Sequence, residues 1–252
     1  MEKSIIMELE KTYYFRVDTA AQNENHDLTL SALQRIIVTA SEEHLKNIGL
    51  DVPKLMKDYG VSWILLSLSI EMKDKIRSGE LLSVRTWHTN KKGVYYRRDF
   101  EICHEDGTVA ANAATFSSIF DMESRRLCTN KEVLALVDEL GEGKELFEAS
   151  PRLRIKPEEL DFVMTQNVMP SWIDALGHTN NLRYGDLITD ALPAENRAKL
   201  GKLSRFELGF TGELRLGESV ELRLKEEEDG TVLAAGIRST DEKPAFLAKL
   251  AF

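Results

Sequence analysis

Within residues 171–184, SWIDALGHTNNLRY, an acid (Asp174), an imidazole (His178) and two amides (Asn180, Asn181) fall just ahead of a helical pattern. Tyr184, Leu187, Ile188 and Ala191 recur on one face at helical spacing, and Pro193 ends the run. Thr179 or Asn180 can cap this helix, because a short oxygen-bearing side chain accepts from N–H groups of the first turn. Asp174 and His178 then sit in the loop that feeds a helix N-terminus, where unpaired N–H groups and the helix dipole hold developing negative charge. An acid, an imidazole and an oxyanion-type site are the parts of a hydrolytic centre. Taken alone, D-x-x-x-H before a helix is equally the pattern of a histidine that caps or packs, so the surrounding elements must decide.

Those elements come in two similar sets. A short strand over 13–17 precedes a helix whose apolar stripe is Leu33, Ile36, Ile37 and Ala40, with Ser31 and Gln34 at capping-box spacing. Strands follow over 62–72, 82–87, 94–103 and 108–120, with a tight turn at Glu105-Asp106-Gly107. A helix over 132–140 and a linker around Gly141, Gly143 and Pro151 close the first half. The second half repeats the plan, with a strand over 162–168, a helix over 180–192 and strands over 203–210, 219–226, 231–239 and 245–252. Ile76-Arg77-Ser78-Gly79-Glu80 and Leu214-Arg215-Leu216-Gly217-Glu218 occupy equivalent places in the two meanders. A helix followed by an antiparallel meander, twice over, predicts two sheets wrapped on their helices and paired edge to edge, which removes two exposed edges. This is an α+β tandem, or double, hotdog: an N-terminal repeat over 1–140, a linker over 141–160 and a C-terminal repeat over 161–252. Internal pairing leaves monomer and homodimer both open.

Bulk properties narrow the function. The 252-residue chain is 42% hydrophobic and 30% charged, as expected of a soluble globular protein. It has no apolar run approaching the roughly 20 residues of a membrane helix. The opening MEKSIIME lacks the apolar core and cleavage site of a signal peptide, so a cytoplasmic location is expected. Two cysteines, Cys103 and Cys128, have no metal-ligand spacing and read as small buried hydrophobes. The five scattered histidines make a zinc site unexpected, and no cofactor is implied. A net charge of −9 argues against nucleic-acid binding.

At this point the chain resembles the acyl-acyl-carrier-protein (acyl-ACP) thioesterases of the bacterial and plant fatty-acyl type. The matching residues in the first half are Gly60-Val61-Ser62-Trp63-Ile64-Leu65, Gly79-Glu80 leading to Val84-Arg85-Thr86-Trp87, Arg98-Asp99-Phe100-Glu101-Ile102 and Asp121-x-x-x-Arg125-Arg126. In the second half they are Asp174-x-x-x-His178-x-Asn180-Asn181-x-x-Tyr184 and the strand ending in Glu213. The resemblance implies a double hotdog that hydrolyses the thioester joining a fatty acyl chain to the phosphopantetheine arm of acyl carrier protein. It implies Asp174, His178 and Glu213 as catalytic residues. Leu176 stands where the family has an Asn, and Leu214 where plant members often carry a Cys. Lys75 takes the place of Glu213 in the first half, which would leave that half without hydrolytic chemistry. The interior of the first hotdog becomes the acyl channel, with Leu33, Ile37, Trp63, Leu65 and Phe116 as its expected lining.

The implied mechanism needs no metal, since a thioester has weak carbonyl resonance and a good thiolate leaving group. Glu213 is expected to act as general base on a water. Asp174 would orient His178 or share that water, and mutual repulsion of two nearby carboxylates would raise one pKa. His178 would position water or substrate, or protonate the departing sulfur. N–H groups at the start of the Asn180 helix would hold the oxyanion. Leu176 can neither donate nor hold water, so either Asn180 or a backbone group replaces the amide there or activity is low. Docking an acidic carrier would require a basic face, with Lys91-Lys92, Arg97-Arg98, Arg125-Arg126, Arg183 and Arg197 with Lys199 and Lys202 as candidates. Two alternatives are an acyl-coenzyme A thioesterase and an acyl-binding module whose site has degraded at Leu176.

Overall fold

The computed structural model describes residues 10–141 and 143–252; the opening segment read for a leader, and Glu142 of the linker, lie outside the described residues. The first half contains β1 (Glu10–Arg16), α1 (Leu30–Asn47), α2 (Val52–Tyr59), β2 (Val61–Met72), β3 (Leu81–Lys92), β4 (Tyr95–Cys103), β5 (Val109–Asp121), β6 (Arg126–Leu127) and α3 (Lys131–Asp138). The second contains β7 (Asp161–Asn167), α4 (Arg183–Ala191), β8 (Arg205–Phe210), β9 (Ser219–Glu226), β10 (Val232–Arg238) and β11 (Pro244–Ala251). All strands among the described residues join one eleven-stranded sheet in the order β1-β3-β4-β5-β2-β8-β11-β10-β9-β7, with β6 beside β5. The two halves use the same strand order and meet antiparallel through β2 and β8, from Ser67 opposite Gly209 to Glu71 opposite Arg205. The architecture is the double hotdog.

Two helices explain why the sheet curls. The α1 stripe Leu33, Ile36, Ile37 and Ala40 is buried, as are Tyr184, Leu187, Ile188 and Ala191 of α4, and both stripes belong to one apolar core with the inward faces of the strands. The helices also pack on each other. Gly185 makes that approach possible, since a Cβ there would overlap the Gln34 side chain and the Leu30–Ser31 backbone. The capping box expected at Ser31 is not formed: Thr29 is the N-cap, accepting from Ala32 N at 3.1 Å. Gln34 instead donates to Asn181 O at 3.2 Å, tying α1 to the entry of α4. No described helix is long and apolar enough to cross a membrane.

The Arg97-Arg98 pair, expected as a surface cluster, is buried on both faces of β4. Alternation along the strand sends Arg97 outward under the linker and Arg98 inward. Arg97 makes a two-pronged pair with Asp99 (2.7 and 2.9 Å) and also donates to Glu145 and to Phe147 O. Arg98 donates to His44 Nδ1 on α1 (2.6 Å), to His88 Nε2 and to Thr86 Oγ1 (3.3 Å). Burial pushes the Arg98 pKa down to about 9, which still leaves it cationic at neutral pH. Burial, then the charge of Arg98 and the neighbouring His44, hold His88 well below its ordinary value, so its imidazole is neutral and accepts. The interior of the first hotdog thus has a polar, cationic end.

Candidate active site

The β2–β8 ladder stops at Ser67 and Gly209, where a bulge at Leu66 shifts the β2 register against β5. Residues from both sides of that joint line a cavity of about 650 Å³: Trp63, Leu65 and Phe120 from the first half, and His178, Tyr184 and Glu213 from the second. His178 is delivered by a tight loop. Asp174 N donates to His178 O (3.0 Å), Gly177 N to Asp174 O (3.0 Å), and Leu176 N to Asp174 Oδ1 (2.8 Å). Gly177 has φ +82°, the left-handed region that glycine enters without a Cβ penalty. Thr179 N donates to Leu214 O (2.7 Å), which stitches the histidine loop to the segment carrying Glu213. The buried Tyr184 ring packs against Phe210 and Phe246 beneath the site.

Asp174 Oδ2 lies 3.6 Å from His178 Nδ1. That contact favours orientation of the imidazole over a shared water, because Asp174 borders a different hollow, with Asn180, Thr29 and Arg35. Asn180 is turned away from the cavity, its Oδ1 accepting from Leu182 N (2.9 Å) in the turn before α4. The helix begins at Arg183, and Leu182 at its N-cap makes no side-chain bond, so neither Thr179 nor Asn180 caps it. The amide that does line the cavity is Asn181. Leu176 is 53% exposed and lines the cavity rim.

Sequence reasoning missed what surrounds Glu213. Arg125 Nη2 donates to Glu213 Oε1 (2.7 Å), and Arg215 Nη2 to Oε2 (2.8 Å). Burial pushes the Glu213 carboxyl up, but the bonds from Arg215 and Arg125 and the charge of His178 outweigh it and leave the pKa below the ordinary value. An upward shift is expected only where a second carboxylate lies close; the groups bonded to Glu213 are the guanidiniums of Arg125 and Arg215.

The expected acyl-channel residues separate. Trp63 and Leu65 line the cavity, and Trp63 Nε1 is anchored on Leu50 O (3.0 Å). Ile37 is buried in the core between α1 and the sheet, and Leu33 borders a different hollow of about 260 Å³. Phe116 is placed on the opposite face: it pairs with Arg97 in the β4–β5 register and lies under that guanidinium. Cross-strand partners share a face, and this one is covered by the linker.

The first half holds a parallel arrangement with different side chains. Asn23 N donates to Asp27 O (2.9 Å), as Asp174 N does to His178 O, and Asn25 N donates to Asn23 Oδ1 (2.9 Å), as Leu176 N does to Asp174. Asn23 and Asp27 thus stand in the places of Asp174 and His178. Lys75, in the place of Glu213, is ion-paired with the buried Asp27. An amide, an ion-paired acid and a cation thus stand there where the second half has Asp174, His178 and Glu213.

Comparisons with known proteins agree with this fold. The chain matches the model of the acyl-ACP thioesterase N-terminal domain over residues 8–137 and that of the C-terminal domain over residues 156–250. Its fold is shared with an acyl-ACP thioesterase from Bacteroides thetaiotaomicron (22% identity, 96% of this chain and 97% of that one, TM-score 0.84). It is shared also with the 12:0-ACP thioesterase from Umbellularia californica (14% identity, 96% of each chain, TM-score 0.83). No curated protein matches the sequence. Since the two domain models match in order and together span most of its length, this chain belongs to the acyl-ACP thioesterase family, a family of thioester hydrolases.

Proposed function

We propose that the chain releases free fatty acid from acyl-ACP in the cytoplasm, ending fatty acid synthesis, and that its second half carries the chemistry. The observation that carries this reading is the convergence of His178 and Glu213 on one cavity at the joint between the halves, with Asp174 behind the imidazole. Glu213 takes a proton from water, His178 places the water and relays a proton to the departing sulfur, and Asp174 orients His178. Trp63 and Leu65 begin the apolar surface for the acyl chain, and the first half binds without catalysing. The acidic carrier would dock on exposed cations such as Arg126 and Lys202, so its affinity should fall as salt rises.

The test is kcat/KM for one acyl group on acyl carrier protein and on coenzyme A. A clear preference for the carrier is expected. Equal or better use of coenzyme A would overturn the choice of handle, and tight acyl binding without hydrolysis would make the chain a binding module. Leu176→Asn is expected to change kcat on the preferred handle by less than about threefold, whereas a newly supplied, needed oxyanion donor is commonly worth about 10²–10³. A large gain would show that the site lacks that amide.

A further inference from the structure

Attack on a thioester puts negative charge on the carbonyl oxygen, and the donors expected for it are committed elsewhere. Leu176 has no side-chain donor, and its N–H is bonded to Asp174. Of the N–H groups entering α4, Thr179 donates to Leu214 O, Asn180 to Trp172 O, Leu182 to Asn180 Oδ1 and Arg183 to Asn180 O. Beside the Asn181 amide, what the cavity offers is guanidinium. Arg125 is delivered from the first half, across the joint from the histidine loop. It makes a single side-chain hydrogen bond among the described residues, to Glu213, although a guanidinium has five N–H groups. Its φ of +55° is one a non-glycine residue holds only when its surroundings enforce it. The enforcement is visible: Asp121 Oδ1 accepts from both Ser124 N and Ser124 Oγ at 2.7 Å, closing the turn that aims Arg125.

Building on the reading of Glu213 as base, we propose that Arg125 is a catalytic residue whose guanidinium holds the thioester oxyanion, the role an amide at position 176 would otherwise fill. The water oxygen bonds to the carbonyl carbon while its proton passes to Glu213, and the carbonyl π pair moves onto oxygen beside Arg125. The pair then returns, the C–S bond breaks, and the thiolate takes the proton from Glu213 through His178. The products are the carboxylic acid and the thiol, with Glu213 again ionised.

Arg125→Gly tests this without endangering the fold, because glycine accepts the left-handed backbone and an exposed ion pair contributes little stability. With full-length protein and acyl-ACP, kcat should fall about 10²-fold with KM nearly unchanged. Added methylguanidinium should restore part of the rate, and so should Leu176→Asn introduced into the same variant. A kcat within threefold of wild type, a loss confined to KM, or a kcat loss that neither measure repairs would overturn the proposal. Glu213→Gln run in parallel separates the two levels. If it stays active, the reading of Glu213 fails; if it is inactive while Arg125→Gly is active, only the role of Arg125 fails.

Discussion

Glu213→Gln is expected to lower kcat/KM on the preferred thioester by about 10²–10⁴, the usual contribution of a positioned general base. The substitution keeps the shape of the side chain and removes the charge. Glu213 is partly exposed and held by Arg125 and Arg215, which are themselves more than half exposed, so the melting temperature should barely move. The pH profile supplies a second check. Burial raises the Glu213 pKa, but Arg215, Arg125 and His178 draw it below the ordinary value, while Glu218 and Arg238 also line the cavity. The carboxylate is therefore ionised throughout the neutral range. Activity should be lost only as pH falls through that lowered pKa, on an acid limb beneath the usual glutamate range. An acid limb at or above the usual glutamate range would instead move the role of base away from Glu213. Full activity in the Gln variant would remove Glu213 from the chemistry altogether.

The contrast between His178 and Arg125 shows what could be read from the chain. Asp174 and His178 were legible because one loop carries both, just before an amphipathic helix. Apart from β6 and the last five residues of β3, the strands were legible to within about three residues, because alternation and turn residues such as Gly107 and Gly230 mark their limits. The equivalence of Lys75 and Glu213 followed from the shared phrase after them, and the structure gives it matching bonds: Val17 N donates to Glu80 O, and Val168 N to Glu218 O. Arg125 lies 88 residues from Glu213, and nothing in local spacing reports a contact made across the joint between two halves. Helix α2 escaped notice because only Leu55 is buried in it, although its Asp51 cap, Pro53 and left-handed Gly60 are all ordinary end signals. The helix at Asn180 starts late because that amide caps a turn rather than the helix. The pair Arg97-Arg98 read as part of a basic surface because charge in a strand usually lies in solvent. Its burial depends on a linker that packs over one face and on histidines that await Arg98 on the other.

Asp99→Ala should cost about 3–5 kcal/mol, the range found when one partner of a buried ion pair is removed. Asp99 and Arg97 are both fully buried, and Asp99 also accepts from Leu146 N (3.0 Å) and Thr89 Oγ1 (3.2 Å). Its loss leaves a guanidinium in the interior with Glu145 and Phe147 O as partners. For a chain of this size, with about 2–4 °C per kcal/mol, the melting temperature should drop by roughly 10 °C. Lys54→Ala, which breaks an exposed pair with Asp58, should cost only about 0.2–1 kcal/mol and serves as the control. The loss has a direction through the fold. The linker is fastened to β4 through Asp99, to β2 through Ser67 Oγ donating to Ser150 O (3.0 Å), and to β8 through Arg205 donating to Glu148 O (2.7 Å). It therefore straddles the β2–β8 joint whose far end opens into the cavity, and releasing one fastening should speed proteolysis between 143 and 155 before it slows hydrolysis. A penalty below about 1 kcal/mol, with the linker still resistant to protease, would mean that Glu145 alone compensates Arg97 and that Asp99 does not hold the linker against the joint.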